Sequence, residues 1–321
     1  MTRVSVVMPA YQAESTIGAA VSSVLDQSYR DFELVVVNDG STDATAAIVE
    51  AHPGPIRVVA QANAGVAAAR NRGIAEAAGE LIAFCDADDY LFPDHLAALV
   101  AAFDAGGTGI ATANSFWLLP GGIARSKTRY RGRFPRPDEQ RLAILQQNFV
   151  STMALFPRAL AADLGGFDER KRRAEDWDFW LRAVFAGARV TLQPRPLALY
   201  RWRNDSLSSD WRRMDAEVES VLDGLEQQLR LTDEELAYLR RRRAGPGPRQ
   251  LSRDGDEALR AGRYGEAARL YREAAELCPS ERALVWKANT LRAAPPVLGP
   301  LLRRRQLSRE QRLGLGPDFV R

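Results

Sequence analysis

With 321 residues, 46% hydrophobic and 26% charged, the chain is globular and large enough for one big domain with an appendage or for two domains. Its net charge of +3 is too small to argue for nucleic-acid binding, and no apolar stretch approaches the roughly 20 residues of a membrane span. Two cysteines, Cys85 in an apolar run and Cys278 before a proline, give no disulfide framework and fit a reducing cytosol, and the N-terminus does not read as a secretory signal.

In chain order, Val4 to Met8 reads as a strand stopped by Pro9, and Ser15 or Thr16 as the cap of a helix with Ile17, Val21, Val24 and Leu25 on its apolar face. A second strand, Glu33 to Val37, ends in Asn38-Asp39-Gly40-Ser41. Asp43 and the alanines after it make a second helix, Ile56 to Val59 a third strand, and Gly65 to Ala78 a third helix closed by Gly79. Strands separated by helices of 10–15 residues predict βαβ units and a largely parallel sheet covered on both faces. The glycine patterns of dinucleotide-binding and P-loop proteins are missing, which argues against both.

The apolar run Leu81 to Cys85 is a buried strand that ends in Asp86-Ala87-Asp88-Asp89. Open α/β sheets place ligands at such strand ends. Two residues apart in extended chain, Asp86 and Asp88 point to one side and offer hard oxygen ligands to Mg²⁺ or Mn²⁺. The alternative is a loop or helix cap, where acids only solvate or cap.

Four blocks in the first ninety residues resemble family 2 of the glycosyltransferases: Val4 to Tyr11, Val37 to Asp43, Asn63 through Gly73, and Asp86 to Asp89. The resemblance implies a GT-A fold, Rossmann-like with a mostly parallel central sheet and helices on both faces, and transfer of a sugar from a nucleotide-sugar donor. It assigns Pro9 and Tyr11 to the nucleotide site, with Tyr11 packing on the base, and Asp39 to a hydrogen bond from the base, usually uracil. An Asx-turn in Asn38-Asp39-Gly40 is compatible with that role. Arg70 is similar to a residue that reaches the nucleotide, the alternative being a surface arginine. Asp86 and Asp88 resemble the DxD pair, with Asp88 as the direct metal ligand.

In the second half, Leu164 to Glu169 and Ala174 to Trp180 match the acceptor-side blocks of the same family. There the resemblance assigns Asp176 as general base, on the face opposite the leaving diphosphate. Two acids in a first helical turn, favoured by the macrodipole, are the plainer explanation of Glu175-Asp176. The block Tyr200 to Ser208 departs from the family: where a histidine usually helps to hold the metal, this chain has Arg203, which can bind phosphate instead. The only histidines, His52 and His95, lie outside the motifs and read as structural.

Between the halves, Arg125 to Arg136 interleaves cations with Tyr130 and Phe134; it reads as a solvated mobile loop or as a lid over an anionic acceptor. Domain limits are expected at 1–210 for the transferase part (1–115 donor half, 116–210 acceptor half), 211–248 for a helical segment and linker, and 249–321 for an all-helical extension. In that extension Gly262, Tyr264, Ala267, Tyr271, Ala274 and Pro279 fall on the spacing of one tetratricopeptide-like hairpin, either a buttress or a peptide-binding module. The basic stretch Leu301 to Leu315 is either a solvated helix or a contact for an anionic membrane.

The expectation is therefore a cytosolic, metal-assisted, inverting hexosyltransferase that uses a UDP-linked donor. Its acceptor is a glycan, glycolipid or protein, as in cell-envelope polysaccharide assembly, and the C-terminal helices offer peripheral membrane or subunit contact. Its rivals are a nucleotidyltransferase and a catalytically weakened binding scaffold.

Overall fold

The computed structural model describes residues 2–106, 109–130, 133–202, 211–223, 225–293 and 295–313. Two compact units result, residues 1–144 with 148–202 and residues 145–147 with 203–321. The first runs β1 (Val4–Ala10), α1 (Ile17–Leu25), β2 (Phe32–Asp39), α2 (Thr45–Glu50), β3 (Ile56–Gln61), α3 (Val66–Glu76), β4 (Leu81–Phe84), β5 (Tyr90–Leu91), α4 (His95–Gly106), β6 (Ile110–Leu119), β7 (Gly122–Thr128), α5 (Gln140–Gln146, whose end belongs to the second unit), β8 (Leu155–Pro157), α6 (Arg158–Asp163), α7 (Glu175–Phe185) and β9 (Val190–Arg201).

The strands form one sheet in the order β3-β2-β1-β4-β8-β6-β9-β5, with β7 paired to β6. β1 to β4 are parallel, as the βαβ pattern predicts. Beyond β4 the sheet is mixed: β8 is antiparallel to β4 and β6, and β9 is parallel to β6. Two reversals restore direction, so β1 to β4, β6 and β9 all point the same way. Their carboxyl ends, after Ala10, Asp39, Phe84 and Arg201, therefore meet at one edge.

Strands covered on both faces need apolar residues at every position, and β1 is buried throughout. Along β2 the alternation is visible: Leu34 and Val36 join the large core with Val6, Met8, Ile17 and Val21, while Val35 and Val37 face Val59 and Ala69. Pro9 does not stop β1, which continues to Ala10. Cys85 N–H donates to Val7 O, so odd positions of β1 face β4. β4 pairs only as far as Val7, and the missing donor of Pro9 costs no ladder bond. Thr16 precedes α1 but does not cap it; its hydroxyl donates to Ala13 O.

α3 lies close on the sheet because Gly73 has no side chain. A Cβ there would overlap Val7 Cγ1 and come within 3.3 Å of Val37 Cγ2. Gly73→Ala is expected to lower stability by about 1–3 kcal/mol, the usual cost of overpacking, and urea unfolding measures it. His95 is buried, its two ring nitrogens 3.1 Å from Leu197 O and 3.2 Å from Met153 O. Burial lowers its pKa to about 4 despite those carbonyls, in keeping with a structural role.

The second unit is helical where described: α8 (Trp211–Leu222), α9 (Leu225–Gln228), α10 (Asp233–Arg243), α11 (Pro248–Arg260), α12 (Tyr264–Leu277), α13 (Arg282–Ala293) and α14 (Pro295–Leu313). The expected helical segment within 211–248 is in fact several helices; α8 and α9 bury Val218, Val221, Leu222 and Leu225. Thr232 and Glu235 form a capping box at the start of α10. Arg240 to Arg243 are not linker; they form the last turn of α10, where cations suit the macrodipole, and Arg242 is buried against Glu219. α11 and α12 make a hairpin in which Gly255 faces the Tyr271 ring, and Asp256 accepts from Tyr271 Oη and Lys287 Nζ. The tetratricopeptide assignment rests on spacing alone. Both cysteines are free and buried, and no helix among the described residues is long and apolar enough to cross a membrane.

Candidate active site

At the shared sheet edge the loops after β1 and β2 are laced together. Gln12, held at a φ of 49°, accepts from Thr42 N–H at 2.8 Å, and Ala13 N–H donates to Thr45 Oγ1 at 2.8 Å. Tyr11 stands beside this junction with 54% of its surface exposed, an unusual position for an aromatic ring and one open to a flat ligand. Asp39 is almost wholly buried. Its Oδ1 accepts from Gln61 Nε2 at 2.7 Å and Ala64 N–H at 2.9 Å, and its Oδ2 from Gly65 N–H at 2.9 Å. The Asx-turn belongs to its neighbour, since Asn38 Oδ1 takes Ser41 N–H at 3.0 Å. Asp39 thus anchors the loop that leads into α3.

Asp86 to Asp89 are not extended. Asp89 N–H donates to Asp86 O at 3.0 Å and closes a turn, yet Asp86 and Asp88 are half-buried while Ala87 and Asp89 are buried. Asp86 and Asp88 both remain partly accessible, in a turn rather than in the extended chain expected from the strand pattern. Asp89 Oδ1 accepts Arg201 N–H at 2.9 Å, and Arg201 Nε donates to Asp88 O at 2.7 Å, so the end of β9 fixes this turn. Burial and the neighbouring Asp88 and Asp86 hold the Asp89 carboxyl well above the usual range.

Arg70 is not a surface residue. It is 3% exposed, lies over the Phe84 and Phe167 rings, and bridges two acids: Nη2 to Asp86 Oδ1 at 3.0 Å and Nη1 to Glu175 Oε1 at 2.6 Å. Burial pushes Glu175 up to about 7, against the pull of Arg70 and with the help of Asp176. One buried guanidinium therefore ties the acids after β4 to the first turn of α7.

Asp176 is half-buried in that turn, its Oδ2 accepting from Asn148 Nδ2 at 2.9 Å and its Oδ1 from Trp177 N–H at 2.8 Å. Ala174, just before it, is in the left-handed region at a φ of 55°. The rest of α7 is pinned: Trp177 Nε1 donates to Ile144 O at 2.7 Å, Arg182 donates to Leu164 O and Gly166 O, and Phe179 stacks on Phe167 with centroids 4.3 Å apart. Asn71 holds the Leu164 to Phe167 loop by exchanging hydrogen bonds with Phe167 O and Phe167 N–H.

The basic–aromatic run is partly built into this region rather than loose. Tyr130 exchanges hydrogen bonds with Asn114, Arg129 Nη2 donates to Val150 O, and Arg133 and Arg136 pair with Glu139. Arg131 and Arg203 lie outside the described residues, as does the side chain of Lys127. Among the described residues no three of His, Cys, Asp and Glu converge as metal donors. The donor chemistry fits Mg²⁺ or Mn²⁺ nonetheless, because these ions take one or two carboxylates and complete their shell with water and substrate phosphate. Asp86, Asp88 and Asp176 come from sequence; Glu175, Asp89, Arg201, Asn71 and Asn148 are partners that only the fold reveals.

A family profile described as "Glycosyl transferase family 2" matches residues 5–165. The chain belongs to glycosyl transferase family 2. Among family relatives, "Succinoglycan biosynthesis protein ExoO" of Rhizobium meliloti (strain 1021) is 33% identical over 247 residues, 70% of this chain and 71% of that protein. Other relatives are matched over between 14% and 74% of their own length. The crystal structure of S. aureus TarS 1-349 in complex with UDP-GlcNAc is 20% identical with a TM-score of 0.60, covering 92% of this chain and 91% of that one. The mannosyltransferase PcManGT from Pyrobaculum calidifontis, in complex with GDP-Man and Mn²⁺, is 19% identical with a TM-score of 0.57, covering 96% and 80%. At such identities the likeness shows the fold: the GT-A-type α/β unit and C-terminal helices expected of this family 2 chain are what the structure contains.

Proposed function

We propose that the chain moves a hexosyl group from a UDP-linked donor to an acceptor hydroxyl, with inversion, in the cytosol. The observation that carries this reading is the Asp86–Arg70–Glu175 bridge, which ties the acidic turn after β4, at the carboxyl ends of the parallel strands, to the first turn of α7, where Asp176 follows Glu175. Tyr11 stacks on the base, Asp39 accepts from it, and Pro9 and Arg70 shape the pocket around the nucleotide. Arg203 replaces the family's histidine in sequence and is assigned to binding the diphosphate. When bound at Asp86 and Asp88, a divalent cation supplies neutralisation of the diphosphate charge.

Asp176 accepts the proton of the acceptor hydroxyl while that oxygen attacks the anomeric carbon from the face opposite the diphosphate, and one displacement inverts the centre. Asn148 and the Trp177 N–H orient the carboxylate and leave each oxygen a second lone pair for that proton. The acceptor in this reading is an envelope glycan or glycolipid; the printed name of the R. meliloti relative, a succinoglycan biosynthesis protein, supports a polysaccharide.

Thermal shift against UDP-GlcNAc, other UDP-sugars and GDP-mannose, with and without Mn²⁺, tests this. Stabilisation by UDP compounds that grows with Mn²⁺ is expected, because a ligand bound only to the native state raises the melting temperature. Indifference to every nucleotide-sugar overturns the proposal. Asp88→Asn should weaken Mn²⁺-dependent UDP binding about ten- to a hundredfold, the worth of a charge-assisted contact, leaving the melting temperature of the free protein near wild type. Calorimetry reads this directly; an unchanged affinity would remove Asp88 from the site.

A further inference from the structure

Positive charge is concentrated at one end of the chain. Residues 282–313 hold seven arginines and one lysine against a single acid, Glu310, a net of +7 in a protein of +3, leaving −4 for everything else. Acids of the adjoining α12 are matched locally, Glu266 by Arg263, Glu273 by Arg269 and Glu276 by Arg241, while Lys287 is taken up by buried Asp256, so the arginines alone leave an excess of +6 over Glu310.

The same two helices carry five of the seven exposed large apolar side chains among the described residues: Val285 and Trp286 on α13, and Val297, Leu301 and Leu307 on α14. Val297 and Leu301 are 64% and 59% exposed and lie one turn apart. Arg305 sits 5.6 Å over the Trp286 ring, joining the two helices into one surface. Beside it is an open cleft of about 300 Å³ lined by Tyr264, Pro300, Arg303, Arg304, Leu307 and Ser308.

We propose that this α13–α14 surface docks on an anionic phospholipid membrane. Aliphatic tips and a tryptophan beside exposed arginines suit the boundary between headgroups and acyl chains, where the apolar groups enter and the guanidiniums stay with the phosphates. The Arg303–Arg304 cleft takes a headgroup phosphate. A nucleic acid would satisfy the arginines and leave Val297 and Leu301 without an apolar partner. A second copy would bring one strongly cationic surface against another.

The inference stands apart from the sugar-transfer reading. Flotation of the full chain with vesicles tests it: binding is expected to equal parts phosphatidylcholine and phosphatidylglycerol, not to phosphatidylcholine alone, and should weaken as salt rises. R303Q/R304Q/R305Q should lower the partition constant on the order of a hundredfold, and V297S/L301S roughly tenfold with the salt dependence kept. These side chains are exposed, so the melting temperature should hold, and UDP calorimetry on the triple variant should match wild type whether or not vesicles bind. Equal binding to both vesicle types, no binding to either, or binding that the triple variant retains overturns the proposal. So does RNA binding or concentration-dependent self-association that the triple variant abolishes while vesicles stay unbound.

Discussion

Asp176→Asn is expected to lower the single-turnover rate of sugar transfer by about 10²–10⁴, the range of a general-base contribution. The substitution keeps the shape and one acceptor oxygen, which can still take the Trp177 N–H while Asn148 loses its acceptor. The capacity to take a proton is lost together with that one hydrogen bond, and the pinned remainder of α7 keeps the first turn in place. UDP affinity by calorimetry should barely change, because the base serves the acceptor. A collapse of UDP affinity with little effect on rate would move Asp176 into the nucleotide site.

Arg70→Met should destabilise the fold by about 3–5 kcal/mol, the cost of breaking a buried pair from one side. Glu175 and Asp86 would then lose their shared cation, and above about pH 7 Glu175 must be buried charged or take up a proton. Adding Glu175→Gln should recover much of the loss, since removing both partners costs less than removing one. The deficit should depend on pH in a definite direction. In the native state burial raises Glu175 to about 7, above its ordinary 4.5, so between those values the native state holds a proton that the unfolded chain has released. The resulting stabilisation is fully present below about pH 4.5 and is lost as pH rises through 7. Urea unfolding should show this slope in the wild type and a flatter one in Glu175→Gln, while Arg70→Met should be worse at pH 8 than at pH 5. A pH-independent deficit would mean that packing over Phe84 and Phe167, rather than charge, is what Arg70 supplies.

These two experiments probe residues of different legibility. Asp176 announces itself locally: two acids open an amphipathic helix behind a glycine pair, and they lie in the block that resembles the family. β1, β2 and β4 are equally plain, because burial on both faces demands nearly continuous apolar runs, whereas β3 is largely part-exposed. Arg70 is another matter. Its partners lie 16 and 105 residues away, and no local pattern distinguishes it from Arg72 on the same helix. The link from Asp88 and Asp89 to Arg201, more than 110 residues distant, is similarly hidden. The mixed half of the sheet is masked for a different reason. β9 contains Pro194 and Pro196, and its pairing with β6 slips between Ala113 and Asn114, so neither strand shows an even alternation.

Ala174 bears on how this protein could change under selection. A residue with a Cβ in the left-handed region costs on the order of 1 kcal/mol, and glycine would adopt that conformation without it. Selection for heat resistance alone would therefore favour glycine at 174. The hinge it introduced would lie directly before Glu175 and Asp176, loosening the aim of both acids as the chain gained stability. Ala174→Gly should therefore raise the melting temperature slightly and slow turnover.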